Sequence, residues 1–208
     1  MMCSVLGTSK CRCNGDRKAK STNYITGHSI VRKLFSDHSW FVQDYVQSVI
    51  FKLPTAAALR VRLLDNQTEI GMELGKFDKV GPKNGKAVGG LLTAHIALAE
   101  KVVVAAIGGN SSELKQATTN LFEQGDSMSD TLAKVLSLPA KVVRAEFRMH
   151  NQHVINMATL LLTKKYGSEY VMELDMFLNH MLKLADTIYM AAAPEEDDLE
   201  SGSSSSDE

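Results

Sequence analysis

Three histidines recur along this chain at almost equal intervals, each early in a helix-like apolar stretch. They lie in Asp37-His38-Ser39-Trp40, Ala94-His95-Ile96-Ala97 and Gln152-His153-Val154-Ile155, at spacings of 57 and 58 residues. Each stretch is followed by a turn signal and then by a second helical stretch carrying amide or acidic residues. A unit repeated at such a period constrains the fold more than any local propensity does, because each copy must adopt one supersecondary structure. Here that structure is a helical hairpin, and three copies predict an all-α, up-and-down bundle of six helices.

The helical pattern begins at His28. Val31, Leu34, Phe35, His38, Phe41, Val42, Tyr45, Val49 and Ile50 recur at intervals of three and four, which marks one buried face. Pro54 ends the run, since it lacks a backbone donor and disfavours a helical residue before it. Thr55 precedes a second helix from Ala56 to about Leu74, with Leu59, Leu63, Asn66, Ile70 and Leu74 on one face. Gly75 to Gly85 is expected to be the longest internal loop. A third helix follows from about Lys86 to Ile107 and stops at Gly108-Gly109. Asn110 can cap the fourth, with Glu113 placed for a capping box. That helix runs to about Ser137. Pro139 suits the first turn of the fifth, which extends to Tyr166, and Gly167-Ser168 precede a sixth from Glu169 to about Ala192.

Composition agrees with helix-on-helix packing: only 6% of residues are aromatic, and the formal net charge is -1. That charge is unevenly spread. Residues 1–27 carry Lys10, Arg12, Arg17, Lys18 and Lys20 against Asp16. The stretch after Pro194 carries Glu195, Glu196, Asp197, Asp198, Glu200, Asp207 and Glu208 with no base. These segments are expected to be disordered arms, basic and Cys-containing at 1–27 and acidic and Ser-rich at 194–208, around a bundle domain at 28–193. Ser204 and Ser205 stand three residues before Asp207 and Glu208, an acid-directed phosphorylation spacing, although such runs also serve as plain solubilising tails.

The nearly neutral body offers no electrostatic footprint for specific nucleic-acid binding. Cys3, Cys11 and Cys13 all lie in the first segment, so no disulfide is expected in the core, and paired zinc-type Cys spacings are missing. No leader pattern and no membrane span are expected, which points to a cytoplasmic or otherwise intracellular protein. Gly71, Gly75 and Gly81 lack the rest of a phosphate loop.

The hairpins align so that His38 faces the segment Asn66-Gln67-Thr68-Glu69-Ile70 and His95 faces Glu123-Gln124-Gly125-Asp126. His38 to Gln67 and His95 to Gln124 are both 29 residues apart. His153 aligns with Asn179-His180-Met181. Two readings of this polar layer follow. In one, each His is a core residue bonded to a facing amide or acid, fixing hairpin register. The protein is then a non-enzymatic scaffold or interaction module, with a protein partner or a second copy as its natural ligand. In the other, His38, His95, His153, His180, Glu69 and Asp126 supply imidazole and carboxylate ligands for a metal, with an ion-binding or hydrolytic role. The Glu-x-x-His signature of di-iron bundles is missing. No cofactor is indicated.

The body from about Leu34 to Ile188 also resembles a family of all-helical proteins of bacteria and large DNA viruses that has no established activity. The resemblance rests on Asp37-His38-Ser39-Trp40, on Arg62-Leu63-Leu64-Asp65-Asn66-Gln67-Thr68-Glu69-Ile70-Gly71, on His95-Ile96-Ala97-Leu98-Ala99-Glu100, and on Asn179-His180-Met181-Leu182-Lys183-Leu184-Ala185-Asp186. It implies a helical bundle and carries over no catalytic role. The chain departs from it at Gly125, which is expected to interrupt the fourth helix, and in its two tails, which suit a viral or eukaryotic-host setting.

Overall fold

The computed structural model describes the backbone of residues 15–193 and the side chains of residues 26–193. Expectations for the three cysteines, the serine cluster and the acidic stretch lie outside those residues.

Six helices follow one another: α1 (Gly15–Ile50), α2 (Ala56–Leu74), α3 (Gly81–Gly108), α4 (Ser111–Leu136), α5 (Ala140–Leu162) and α6 (Ser168–Ala192). No strand occurs among the described residues. Short connections make neighbours antiparallel. Each helix packs on the next, α6 closes back on α1, and α1, α3 and α5 meet one another inside. The result is an up-and-down bundle of three hairpins, α1–α2, α3–α4 and α5–α6, around one apolar core. That core runs from Val31, Phe35 and Val42 through Leu63, Ile70 and Met128 to Phe177, Leu184 and Tyr189.

The boundaries shift in two places. α1 starts at Gly15, not at His28. Its upper turns are held where His28 and Arg32 converge on Asp186 of α6, with Arg32 Nη1 2.6 Å and His28 Nε2 2.9 Å from Asp186 Oδ1. The expected loop at 75–85 is likewise shorter, because α3 already begins at Gly81. Pro82 occupies the first turn, where its missing donor costs nothing. Gly71, Gly75, Gly85 and Gly89 then bring α2 and α3 into backbone contact. A Cβ on Gly71 would lie 2.5 Å from Gly85 O and 2.7 Å from Gly89 Cα. Gly71 and Gly75, which lack a phosphate-loop pattern, therefore belong to a helix-crossing surface, whereas a Cβ on Gly81 would meet nothing within 4 Å.

Other stops are as read. Gly109 closes α3 in the left-handed region at φ 70°. Asn110 caps α4, its Oδ1 accepting from Ser112 N at 3.1 Å and Glu113 N at 3.2 Å. The Glu113 carboxylate accepts from Asn110 Nδ2 rather than from the backbone.

The expectation of no membrane-length helix needs one correction. α3 reaches a mean hydropathy of 1.7 over 18 residues, enough by length and composition to cross a bilayer, and only 28% of that window is buried within the bundle.

Candidate functional site

The interior of the bundle carries a contiguous line of histidines. On α1, the stripe Val31, Phe35, His38, Val42 faces inward, and His38 is 4% exposed. On α3, His95 sits beside Ile96 on the buried face and is 3% exposed. On α5, the buried stripe is Val143, Phe147, His150, Val154, Met157 and Leu161. The innermost imidazole of the third hairpin is therefore His150, with His153 one turn further along at the flank.

Ring contacts join them. His150 lies 5.4 Å from His38, 6.1 Å from His95 and 6.4 Å from His180, centroid to centroid, and His153 lies 5.5 Å from His180. Five histidines from four helices thus touch ring to ring, with Phe147 and Phe177 beside His150.

Each ring has a bundle partner. Gln67 Nε2 donates to His38 Nδ1 at 2.9 Å, and Asn66 Nδ2 ties α2 to Leu34 O at 3.0 Å. This is the aligned pair of the first hairpin. The second pair is also made: His95 Nδ1 lies 2.7 Å from Gln124 Oε1. The other nitrogen of His95, Nε2, is 2.8 Å from Asn151 Oδ1.

A neutral imidazole donates only once, so both oxygens cannot accept from an uncharged His95. The nitrogen of Asn151, Nδ2, is buried without a partner as drawn. Turning that amide over lets Nδ2 donate to His95 Nε2, while Nδ1–H donates to Gln124. Gly125 makes room for this arrangement. A Cβ there would lie 3.1 Å from Asn151 Nδ2 and 3.5 Å from His95 Cε1. Gly125 therefore does not interrupt α4, which is continuous across it; it is the notch into which the His95–Asn151 pair fits.

The third hairpin departs from the alignment. His153 does not pair with Asn179, which is exposed. Its Nδ1 meets Glu173 Oε1 at 2.6 Å, and Asn156 donates to the same carboxylate at 3.3 Å. His150 Nδ1 instead lies 3.2 Å from Met181 Sδ, a weak acceptor. His180 Nδ1 stands 3.5 Å from Glu146 Oε2, and its Nε2 has no partner.

Glu69 and Asp126 lie apart from this line. Gln67 faces inward, so Glu69, two residues on, is turned to the outer side, where Arg62 Nη2 donates to it at 2.9 Å. Asp126, one residue past the inward Gly125, faces Arg148 across the α4–α5 surface at 2.5 and 2.8 Å. The adjacent Asp130–Arg144 pair continues the same clasp. Arg148 holds the Asp126 carboxyl below its usual range, the guanidinium hydrogen bond being the largest cause. Among the described residues, no group of three or more His, Cys, Asp or Glu is arranged to hold a metal ion.

The electrostatics follow from burial. His38 is lowered to about 4, first by desolvation and then by the nearby His95. His150 falls well below its ordinary value through desolvation and the other four histidines. His180 is lowered to about 4 and His95 is lowered as well, burial being the largest cause in both. At neutral pH the buried rings are uncharged donors and acceptors.

Space around them is small. A cavity of about 20 Å³ is lined by His95, His150, Asn151, Tyr45, Glu100 and neighbouring aliphatics. That holds about one water. Beside it, Tyr45 donates to Glu100 at 2.7 Å and Arg60 Nε donates to the same carboxylate at 2.9 Å, tying α1, α2 and α3 together. A wider, open groove of about 480 Å³ lies at the α1–α2 corner, lined by Asp44, Gln47, Ser48, Leu53, Thr55, Ala58, Leu59 and Arg62.

Fold and site together define a closed helical bundle with a buried, uncharged histidine layer. No known protein family, curated protein or solved structure matches this chain.

Proposed function

We propose that this protein is a non-enzymatic helical scaffold or interaction module in which the histidine layer sets the register of three repeated hairpins. The observation that carries this reading is the closure of the layer. The aligned histidines meet amide or carboxylate side chains from neighbouring helices, and the cavity beside them, at about 20 Å³, admits no substrate. Ligand sites ordinarily need some 300–1,000 Å³.

Buried polar pairs of this kind discriminate between registers. A hairpin that slips by one turn leaves His38 or His95 facing aliphatic side chains, with an unpaired donor in the core. The outward surface supports the interaction role. Trp40, Val61, Met72, Met172 and Met176 are each half exposed or more, apolar side chains that a protein partner or a second copy would cover. An intracellular setting, and membership of the all-helical family that the sequence resembles, belong to the same proposal.

The test is elemental analysis of the purified full chain, joined to thermal melts with and without chelator at pH 7.5. His95→Ala opens a void and strands Gln124 and Asn151, and it should cost about 2–4 kcal/mol. The loss should be the same with and without chelator. Stoichiometric metal, with a chelator-driven drop in wild type that His95→Ala lacks, would establish the metal-binding alternative instead.

A further inference from the structure

Five histidines packed ring to ring exceed what register needs, since one polar pair per hairpin suffices. We infer that the layer is an acid-opened latch: uncharged, it closes α1, α3, α5 and α6 on one another, and protonation at its centre drives these helices apart. This rests on the reading of the layer as neutral core rather than as a metal centre.

The geometry locates the trigger at His150. Its neighbours are His38 on α1, His95 on α3, His180 on α6 and His153 on its own helix, together with Phe147, Phe177 and Met181. No carboxylate among its contacts offsets a charge there. A second proton on His38 or His180 would face the first across about 5–6 Å in a dry interior, where like charges repel strongly.

The charged groups around the layer are already committed. On α6, Glu173 accepts from His153; on α5, Glu146 faces His180, with Lys183 adding positive charge nearby. On α3, Glu100 is engaged by Arg60 of α2 and Tyr45 of α1. From α2 and α4 the layer meets only the amides Asn66, Gln67 and Gln124. His95 is the ring best able to keep a first proton, because both of its amide partners can present oxygen. His150, with the Met181 sulfur at one nitrogen, and His180, with Nε2 unpartnered, have no such pair of acceptors.

The direction follows from linkage. An unfolded-chain imidazole titrates near about 6.5, and burial lowers these rings in the folded bundle. The open chain therefore takes up protons first, and stability is lost as pH falls from about 6.5 toward 4. Carboxylates such as Asp186 and Asp126, whose folded values are lowered, release their stabilisation in a more acidic window.

The experiment is an acid titration of the full chain, followed by near-ultraviolet dichroism and by fluorescence of a dye that binds exposed apolar surface. Wild type should open between about pH 6 and 4. His150→Phe and His150→Gln each remove the central titrating ring, and either should move the opening midpoint down by at least half a pH unit. His180→Gln should shift it in the same direction, which keeps the test open if substitutions at His150 prevent folding. Asp186→Asn, which removes no histidine and breaks the Arg32 and His28 contacts, should not move this midpoint down. An opening confined below pH 4, or one that none of the histidine substitutions moves, would overturn the latch. Chelator insensitivity at pH 7.5 would still stand in that case, so failure of the latch and failure of the scaffold reading are separable.

Discussion

The glycines between α2 and α3 allow one substitution to be tested with opposite signs within one fold. Gly71 and Gly90 are both helical, and Ala in a helix interior is favoured over Gly by about 1 kcal/mol. At Gly90 a Cβ meets nothing within 4 Å. Gly90→Ala should therefore stabilise by roughly 0.5–1 kcal/mol. At Gly71 the Cβ would stand 2.5 Å from Gly85 O, a backbone atom with no rotamer to yield. A relaxed carbon–oxygen approach is about 3.3–3.6 Å, so the helices must part by about 1 Å at that point. A gap of that order forfeits about a quarter to a half of each dispersion contact across the crossing. Overpacking of this kind costs about 3 kcal/mol at the upper end of its usual range, and the propensity gain returns about 1. Gly71→Ala should then be less stable by about 2 kcal/mol, and the two variants should differ by about 3 kcal/mol. In a chain of this size that separates their melting temperatures by roughly 6–12 °C. Combining Gly71→Ala with Gly85→Ala should cost less than the sum, because the first change already parts the helices. Thermal and urea melts measure all four proteins. A Gly71→Ala protein as stable as Gly90→Ala would refute the close crossing.

Two further substitutions probe the second hairpin. Gly125→Ala should cost about 1–2 kcal/mol by pressing on the His95–Asn151 pair, and pairing it with His95→Ala should recover part of that loss in a double-mutant cycle. Asn110→Ala removes the α4 cap and should lower stability by about 1 kcal/mol in a urea titration; by that loss alone it should move the acid midpoint slightly upward, opposite to the histidine substitutions.

The bundle was largely legible because its signals are periodic. The α2 limits at Ala56 and Leu74, the Gly109 stop and the Asn110 cap follow from spacing and local chemistry. The amide partners of His38 and His95 were equally readable, since an identical offset of 29 places both on facing turns. What sequence could not supply was the rotation of each helix about its axis. His150 and His153 both occupy α5, and choosing between them requires the full buried stripe from Val143 to Leu161, not a repeat interval. The same uncertainty placed Glu69 and Asp126 with the histidines, although each is turned outward toward an arginine. Gly125 and Gly85 read as a breaker and a loop residue on their own, and Gly71 only as an interior position of the second helix. Their role as contact points appears only once the partner helix is in place.

Both the register role and the latch require the buried rings to be uncharged core groups in fixed tautomers. Nitrogen-15 imidazole spectra of the full chain at pH 6.5 test this directly. His95 should be neutral, protonated at Nδ1 and accepting at Nε2. His38 should be neutral and accepting at Nδ1, with His150 uncharged and in slow exchange with solvent. Imidazolium signals from His38 and His150, or tautomers averaging as in a free histidine, would contradict both.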